Sequence, residues 1–551
     1  MFKRDRNGIK VLVIVLAALV IAACSSNEVS QTEDNPSTEQ QQQNPQNASG
    51  GDQSITIGIT RGPASFNPLD RPDWPSFRIT SVMFPPLIEL NNDLEFVPML
   101  ASSIETDDFQ TYTVHLNQEA TWTDGTPVTA DDVLFSLEMA THPDVPVFLA
   151  SQYALLEGVG ADGNREQSDF SAFPGAKKID DHTIQFVTKN PVAELTFNDK
   201  VASILRAIPK HVLGDVAPEN LNQHPFMLEP TVSYGAFKFV RYQRDQYVEL
   251  EANPDYFKGA PKLDKLFFKI VDPSSLVAQL ESGDIDMNHP DIGLIPYQDH
   301  ERLEGLEHLT VEYGGPINYK FIGIQTQKVA EKELRQAMAY GINRQLIVDN
   351  LLRGKGEVAN GPYAPISPYY DESVRDYYPY DPEKAKELLA QIGWDGSRTL
   401  ELLVPTGQGL EDAANIIDED LRSIGITVNQ VSVDMPTSIQ LQVSGEYELA
   451  LGNLAFQYEP DQSNFLKTGA SNNFPFYSNA RLDELFDKGA QAVDPEERKV
   501  YYNEYQHIYM TDLPHIPLYF DYRMMAVSKR VTKGKLADIG MLIDGHEWDV
   551  E

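Results

Sequence analysis

The stretch ATWTDGTPVTADDVLFSL at residues 120–137 decides the fold, because each of its local signals points to the same structure. The Asp-Gly pair at 124–125 favours a tight turn. Thr129 can cap a helix, and the two aspartates at 131–132 fall in its first turn, where carboxylates interact favourably with the helix dipole. Residues 111–116, just upstream, alternate between apolar and polar side chains as a strand does. Together these signals predict a strand, a turn and a helix in succession.

Strand and helix patterns also alternate elsewhere along the chain. Residues 54–59 place isoleucine at every second position and predict the first strand. Residues 381–393 predict a helix that an aspartate caps, that opens on a proline and that a glycine ends. After it, residues 400–404 predict a strand, 416–421 a helix and 424–428 another strand. Such alternation is typical of a mixed α/β fold.

Further blocks of sequence lie on both sides of the opening stretch, one before it and the others after it. They are Pro98–Ala101, Tyr234-Gly235, Asn253–Gly259, Ser282–Asp286, Phe321–Thr326, Leu334–Ala337, Ile342–Arg344, Tyr380–Ala385, Tyr477–Asn479, Pro495–Arg498 and Pro514–Tyr519. In this order they resemble the family-5 extracellular solute-binding proteins, the peptide- and nickel-binding receptors that feed ABC importers. The resemblance covers essentially everything after the N-terminal region.

This resemblance implies a two-lobed α/β fold of the periplasmic-binding-protein type, in its large three-subdomain form (type II), with a hinge between the lobes. Lobe 1 is expected over residues 54–312, with a subdomain inserted at about 98–230. Lobe 2 is expected over 313–515, and residues 516–551 are expected to return to lobe 1. Two crossing segments would therefore join the lobes.

The resemblance also implies a receptor rather than an enzyme. A ligand that contacts both lobes would favour the closed state, and a membrane permease would then receive it. Oligopeptides or dipeptides are the first expectation for the ligand, with an oligosaccharide or another organic solute as the alternative. The sequence contains no Gly-x-Ser-x-Gly, His-Glu-x-x-His or Gly-Lys-Ser/Thr motif, so no catalytic residue, cofactor or metal site is predicted. An anchored structural or chaperone-like protein is the alternative from another class.

The N-terminal region predicts export and a lipid anchor. Basic residues precede an apolar run at 11–23 that is too short to span a membrane. Ile21-Ala22-Ala23-Cys24 resembles the bacterial lipobox, which implies a signal peptide at 1–23 and lipidation of Cys24, the only cysteine. Residues 24–53 are mostly polar and predict a disordered linker. The rest of the chain would face the periplasm or the cell surface.

Charge narrows the possible partners. The chain has 44 Lys and Arg residues against 82 Asp and Glu residues, a formal net charge of −38. A surface of this sign repels nucleic-acid phosphates and anionic lipid, so neither is an expected partner. Simple solubility is the favoured reason for the charge, and a monomer is expected.

Candidate ligand contacts are mostly aromatic side chains near the expected cleft, which can stack on a solute. For each of them, packing in the core is the alternative. Arg61, after the first strand, can receive a carboxylate. The full set comprises Arg61, Phe66, Tyr319, Tyr369, Tyr370, Asn453, Phe456, Gln457 and Tyr458.

One departure from the family pattern bears on the ligand. In peptide-binding relatives the segment aligned with 453–460 carries an aspartate four residues before its proline, and that aspartate pairs with the free amino group of the peptide. Here Phe456 occupies the position. An ammonium without its carboxylate is costly to bury, so free-amino peptides lose some support. Glu459 or a neighbouring acid is the alternative partner.

Other matching residues have structural interpretations. Trp122 and the Asp-Gly pair at 124–125 are expected in a packed hairpin. Arg335 and Arg344 lie among helix-forming residues and are expected in ion pairs within lobe 2.

Overall fold

The structure is a computed structural model that describes residues 53–166, 169–406, 409–534 and 539–551. The predicted signal peptide, Cys24 and nearly all of the predicted linker lie outside the described residues. Within the described ranges, no helix is both long enough and apolar enough to cross a bilayer.

The strands of the described residues are numbered in chain order. They are β1 (Ser54–Ile59), β2 (Ile88–Leu90), β3 (Phe96–Pro98), β4 (Ala101–Glu105), β5 (Thr111–Leu116), β6 (Ala176–Asp180), β7 (Thr183–Val187), β8 (Phe237–Gln243), β9 (Tyr247–Ala252), β10 (Lys265–Ile270), β11 (Met287–Asn288), β12 (Leu309–Tyr313), β13 (Asn318–Ile324), β14 (Gly356–Val358), β15 (Thr399–Pro405), β16 (Thr427–Val433), β17 (Leu449–Ala455), β18 (His515–Asp521), β19 (Met524–Ser528), β20 (Val531–Lys533) and β21 (Asp549–Val550).

The α-helices are numbered in the same way. They are α1 (Trp74–Met83), α2 (Ala130–Ala140), α3 (Glu194–Phe197), α4 (Lys210–Leu213), α5 (Pro273–Ser282), α6 (His300–Glu304), α7 (Lys332–Gly341), α8 (Arg344–Leu346), α9 (Pro382–Gln391), α10 (Glu411–Ser423), α11 (Met435–Ser444), α12 (Ser463–Leu466), α13 (Ala480–Gln491) and α14 (Pro495–Asp512). A π-helical turn, Asn198–Ala202, follows α3 directly.

A seven-stranded sheet forms the centre of lobe 1, in the order β12-β19-β11-β1-β10-β9-β8. The predicted first strand is confirmed as β1, which pairs in parallel with β10 and β11. Its three isoleucines are buried in the largest apolar core of the protein. Successive side chains of a strand point to opposite faces of the sheet, so a shift of one residue would move all three isoleucines out of the core. Their burial therefore fixes the register of β1.

The strand, turn and helix that the sequence predicts around the opening stretch are present, and the strand, β5, lies in a four-stranded sheet with the order β4-β5-β7-β6. The Asp132 carboxylate of α2 accepts a hydrogen bond of 2.9 Å from the backbone N–H of Thr129. Gly125 has a φ of 87°, which glycine adopts without strain. Trp122 is 1% exposed and its ring packs edge-on against that of Tyr234 at 5.1 Å. These residues build the subdomain and are structural.

A six-stranded sheet forms the centre of lobe 2, in the order β14-β18-β13-β17-β15-β16. The helix predicted over 381–393 is confirmed as α9, and Asp381 caps it by accepting a bond of 2.9 Å from the N–H of Lys384. Strand β16 begins at Thr427, three residues later than predicted, because residues 421–425 still form the end of α10 and the turn after it.

Two crossing segments join the lobes, between β12 and β13 and between β18 and β19. The expected return to lobe 1 at residue 516 falls inside β18, which pairs with β13 through Ile322 opposite Ile516 and Tyr319 opposite Phe520. The return therefore comes after Asp521. Partners on both sides, β13 and β14, satisfy the backbone groups of β18 and hold it in the lobe 2 sheet.

The expected ion pairs of Arg335 and Arg344 are wrong. The Arg335 guanidinium donates to the carbonyl oxygens of Asp512, Val329 and Ala330 at 2.8–2.9 Å. Arg344 likewise donates to the Ala359 carbonyl at 2.7 Å. These arginines donate hydrogen bonds to backbone carbonyl groups near the ends of helices and strands. From the sequence alone, an arginine with this function looks the same as one that forms an ion pair.

Candidate functional site

Residues 456–461, here called the interlobe segment, leave β17 in lobe 2 and contact lobe 1. The Tyr458 ring lies 5.7 Å from the ring of Phe96 in β3. Thr196 Oγ1 of α3 donates to Glu459 Oε2 at 2.8 Å, and Lys200 Nζ of the π turn donates to Asp461 Oδ2 at 3.2 Å. The two lobes are thus in direct contact through this segment.

The end of β17 sets where the segment begins. Strand β17 pairs with β13 as far as Ala455 opposite Asn318, and the N–H of Phe456 still donates to the Ile317 carbonyl at 2.7 Å. Beyond this bond the sheet pairing stops. Pro460, which has no N–H to donate, suits a chain that has left the sheet.

A buried ion pair anchors the middle of the segment. Glu459 is 3% exposed and Arg498, in α14, is 1% exposed. Arg498 donates to one carboxylate oxygen of Glu459 while Thr196 donates to the other. Burial disfavours the charge on Arg498, but Glu459 raises the pKa of that guanidinium. Both oxygens of Glu459 are therefore bonded within the protein, which leaves it poorly placed to replace the aspartate absent at position 456.

The π turn presents a second pair of charges to the segment. Although burial opposes the charge on Lys200, Asp461 and Glu459 raise its pKa. Its neighbour Asp199 differs, because among the described residues its carboxylate has no hydrogen bond or ion pair. Burial, reinforced by Glu459, raises the pKa of Asp199 to about 7. Sequence reasoning missed Thr196, Asp199 and Lys200, since nothing in their local pattern places them opposite a segment more than 250 residues away.

An aromatic cluster in lobe 2 adjoins the segment and unites two of the predicted residues. The ring of Tyr319 lies 5.3 Å from Phe321 and 5.5 Å from Phe520, and its hydroxyl is 2.9 Å from the hydroxyl of Tyr509. Phe456 is partly buried against this cluster. The cluster therefore extends to the edge of the interlobe segment.

A polar cluster lies on the same sheet and also joins the lobes. The Asp521 carboxylate accepts hydrogen bonds from Asn318 Nδ2 at 2.7 Å and from the Tyr297 hydroxyl of lobe 1 at 2.9 Å. Lys320 Nζ is 3.7 Å from the same carboxylate, and burial lowers the pKa of this lysine. Predicted residue Asn453 is opposite Lys320 in the pairing of β13 with β17. Sequence reasoning missed Lys320 and Asp521, although a lysine within the largely apolar strand β13 is a signal that could have found this cluster.

The other predicted residues are spread over both lobes. Phe66 is fully buried in lobe 1 against Phe239 and Tyr242, and Arg61 is exposed. Tyr369 is 4% exposed and its hydroxyl is 3.5 Å from Arg498. The others, Tyr370 and Gln457, are half-buried. The structure thus brings together Tyr319, Asn453, Phe456, Gln457 and Tyr458, connects Tyr369 to them through Arg498, and leaves Phe66, whose ring offers no surface to a ligand, inside the core.

The described residues contain no group of three or more His, Cys, Asp or Glu side chains arranged to hold a metal ion.

Comparison with known proteins places this geometry in a family. Residues 95–475 match the family described as bacterial extracellular solute-binding proteins, family 5 Middle. Over 558 aligned residues the chain is 28% identical to the oligopeptide-binding protein AppA of Bacillus subtilis (strain 168), with 96% of each chain covered. It is 30% identical over 410 residues to di/tripeptide-binding protein 2 of Pseudomonas aeruginosa (strain UCBPP-PA14), which covers 71% of this chain and 73% of that one.

Comparison with solved structures supports the same family. The oligopeptide-binding protein AppA from Bacillus subtilis, in complex with a nonapeptide, has a TM-score of 0.75 and 25% identity over 90% of this chain and 99% of that chain. The two-lobed α/β fold that the sequence predicts is confirmed. Because the family match spans more than half of the chain, this protein belongs to the bacterial extracellular solute-binding proteins, family 5.

Proposed function

We propose that this protein is the solute receptor of an ABC importer, which captures an extracytoplasmic solute between its lobes and delivers it to a membrane permease. Oligopeptides or dipeptides are the first ligand class, because the relatives from Bacillus subtilis and Pseudomonas aeruginosa are named as peptide-binding proteins. The protein works as a monomer. Lipid on Cys24 holds it at the membrane, facing the periplasm or the cell surface.

The interlobe segment is the observation that carries this proposal. It belongs to lobe 2 but bonds to Thr196 and Lys200 of lobe 1. A solute held beside it adds contacts to both lobes at once, and such contacts shift the population toward the closed state. No catalytic group is needed for this function.

One observation favours a second ligand class, an oligosaccharide or another organic solute. Phe456 stands where the family resemblance implies an amine-binding aspartate, and Glu459 is already bonded to Arg498 and Thr196. Aromatic rings at Phe456 and Tyr458 suit stacking on a sugar or a flat ligand. A solute without an amino group does not need a protein carboxylate at position 456.

A thermal-shift screen followed by calorimetry tests the proposal. The panel contains dipeptides, tripeptides, longer oligopeptides, and oligosaccharides as the second class. A receptor gives one-to-one binding and a melting temperature that rises with ligand concentration. Small-angle scattering should show a smaller radius of gyration with the bound ligand. If no solute of either class shifts the melting temperature, the receptor proposal fails, and the structural or chaperone-like alternative is favoured.

A further inference from the structure

Three arginine side chains surround one phenylalanine ring on the lobe 1 side of the interlobe contact. The guanidinium carbon of Arg71 lies 3.8 Å from the centre of the Phe77 ring, that of Arg206 lies 5.0 Å away and that of Arg78 lies 5.2 Å away. Phe77 and Arg78 belong to α1, Arg71 precedes this helix, and Arg206 follows the π turn. In a chain with 82 acidic and 44 basic residues, this concentration of positive charge is unusual.

Among the described residues, only Arg78 of the three arginines has a carboxylate within ion-pair distance. Arg78 is paired with Asp291, which also binds Arg523. Within the described residues, Arg71 and Arg206 make no ion pair. Arg206 is 3% exposed and donates to the Ile204 carbonyl at 2.9 Å and to Ser81 Oγ at 3.0 Å. The strongest hydrogen bonds of a buried guanidinium usually go to a carboxylate. The carboxyl of Glu89 in β2 interacts electrostatically with both arginines, but among the described residues it makes no hydrogen bond to either of them.

Unused donors remain on the same two side chains. The Nε atoms of Arg71 and Arg206 are buried and have no hydrogen-bond partner. Within the part of the chain that the structure describes, the Arg71 side chain makes one hydrogen bond, to the Ser203 carbonyl, and this bond is long at 3.4 Å. Crowding of these buried positive charges has an electrostatic cost, because burial and the neighbouring guanidinium groups lower the pKa of Arg71. An incoming anion would remove that cost and satisfy the free donors.

The cluster lies on the wall of lobe 1 beside the interlobe contact. The Ser203 carbonyl that Arg71 binds follows directly on the π turn whose Lys200 bonds to Asp461 of lobe 2. On the other side, Asp291 connects Arg78 to Arg523, which follows β18 in the second crossing segment. Trp74, 47% exposed, stands 5.2 Å from the Arg78 guanidinium. A ligand held between the lobes can therefore reach the outer arginine, Arg71, which is half-buried.

We infer that Arg71 and Arg206, on the Phe77 ring, form an anion subsite that binds a carboxylate group of the captured solute. Arg206 supplies the buried charge at the base of the subsite, and Arg71 supplies a donor that can turn toward the ligand. The exposed ring of Trp74 contacts the part of the solute next to its carboxylate. This inference rests on the proposed receptor function and narrows its ligand to a solute that carries an acidic group.

The first experiment uses sulfate as the probe and needs no knowledge of the solute. Melting temperatures of the purified, unliganded protein are compared in sodium sulfate and in sodium chloride of equal ionic strength. The variants are Arg71→Gln, which removes the charge, and Arg71→Lys, which keeps the charge but loses the planar guanidinium that can donate two parallel hydrogen bonds. The control is Arg244→Gln, a change of the same kind at an exposed arginine between β8 and β9.

The expected result is a saturable rise with sulfate in the wild type and in Arg244→Gln, a smaller rise in Arg71→Lys and none beyond the chloride baseline in Arg71→Gln. Circular dichroism without sulfate checks that each variant is folded. An equal response of all four proteins overturns the subsite, because sulfate then acts only as a stabilising salt.

A second experiment separates this inference from the proposed function. A peptide that binds in the screen is compared with the same peptide carrying a C-terminal amide and no acidic side chain. Arg71→Gln is expected to weaken binding of the acid about tenfold or more and to leave the amide within about threefold. If acid and amide bind equally well to both proteins, the subsite is wrong and the receptor stands. If sulfate binds at Arg71 but no solute in the screen binds, the receptor proposal fails and the anion site stands.

Discussion

Lys200 of lobe 1 and Asp461 of lobe 2 form an ion pair with Nζ 3.2 Å from Oδ2, so that the π turn of one lobe holds the interlobe segment of the other. Replacing Asp461 with Asn removes the charge and keeps the Oδ1 acceptor that binds the N–H of Ser463. Because both partners are mostly buried, we expect a loss of about 1–3 kcal/mol in the free energy of unfolding. Urea unfolding measures it.

The matched control is Glu251→Gln, which removes the exposed pair between Lys238 and Glu251 within the lobe 1 sheet. That change should cost less than about 1 kcal/mol, because solvent screens exposed pairs. Small-angle scattering should show a more open unliganded form for Asp461→Asn only. An equal effect of the two substitutions would contradict the bridging function of the pair.

Glu459 is expected to stabilise the fold rather than bind the ligand. Glu459→Gln keeps an acceptor for Thr196 but leaves the buried Arg498 guanidinium without its carboxylate. We expect a loss of about 3–5 kcal/mol in the free energy of unfolding, the usual cost of breaking a buried pair. The control, Glu484→Gln, acts on an exposed carboxylate paired with Arg481 and Lys488 and should change stability little. A variant as stable as the wild type would refute this assignment.

Phe456→Asp tests whether position 456 faces the amino group of a peptide ligand. If the proposed peptide receptor is correct, the new carboxylate should strengthen binding of free-amino peptides about tenfold and leave N-acetylated peptides unchanged. Phe456→Asn is the control, because it removes the same aromatic contacts with the Tyr319 cluster without adding charge. Calorimetry with each peptide pair gives the affinities. Equal gains for Asp and Asn would show that the charge is not responsible.

Asp199 should make stability depend on pH. Its pKa is raised from 3.8 to about 7 in the folded protein, so between these values the folded state binds more protons than the unfolded state. The free energy of unfolding contributed by this group therefore falls as pH rises from about 4 to 7, by no more than about 4 kcal/mol. Urea unfolding from pH 5 to 8 should show Asp199→Asn gaining stability over the wild type with rising pH. The control is Asp215→Asn, a substitution at an exposed aspartate, and its stability should depend on pH as that of the wild type does.

Cys24 is predicted to carry the lipid anchor. Cys24→Ser should move the protein from the membrane fraction to the soluble fraction, because the thiol is the only site for the modification. Ligand binding by the lobes should not change. Ser25→Ala, next to it, should stay in the membrane fraction. Retention of Cys24→Ser in the membrane would point to an uncleaved apolar segment instead.

Much of the secondary structure was predictable because its signals are local. The caps at Thr129 and Asp381 and the turn at Gly125 depend on neighbours a few residues away, and the structure has all of them. The end of lobe 2 could not be predicted from local signals, and the expected boundary at residue 516 falls inside β18. This strand belongs to lobe 2 because it pairs with β13. Pairing partners separated by nearly 200 residues leave no mark on the local pattern.

For the candidate site too, some features follow from the sequence and others only from the tertiary structure. The sequence by itself determined the family, the alternation of strands and helices, and the absence of an aspartate at Phe456. Tertiary structure alone decided that Glu459 is bound to Arg498, that Lys200 pairs with Asp461, and that Arg71 and Arg206 share one ring with no ion pair to any described residue. The physical reason is that capping, turns and alternation act over a few residues, whereas burial and charge pairing depend on which distant side chains the fold brings together.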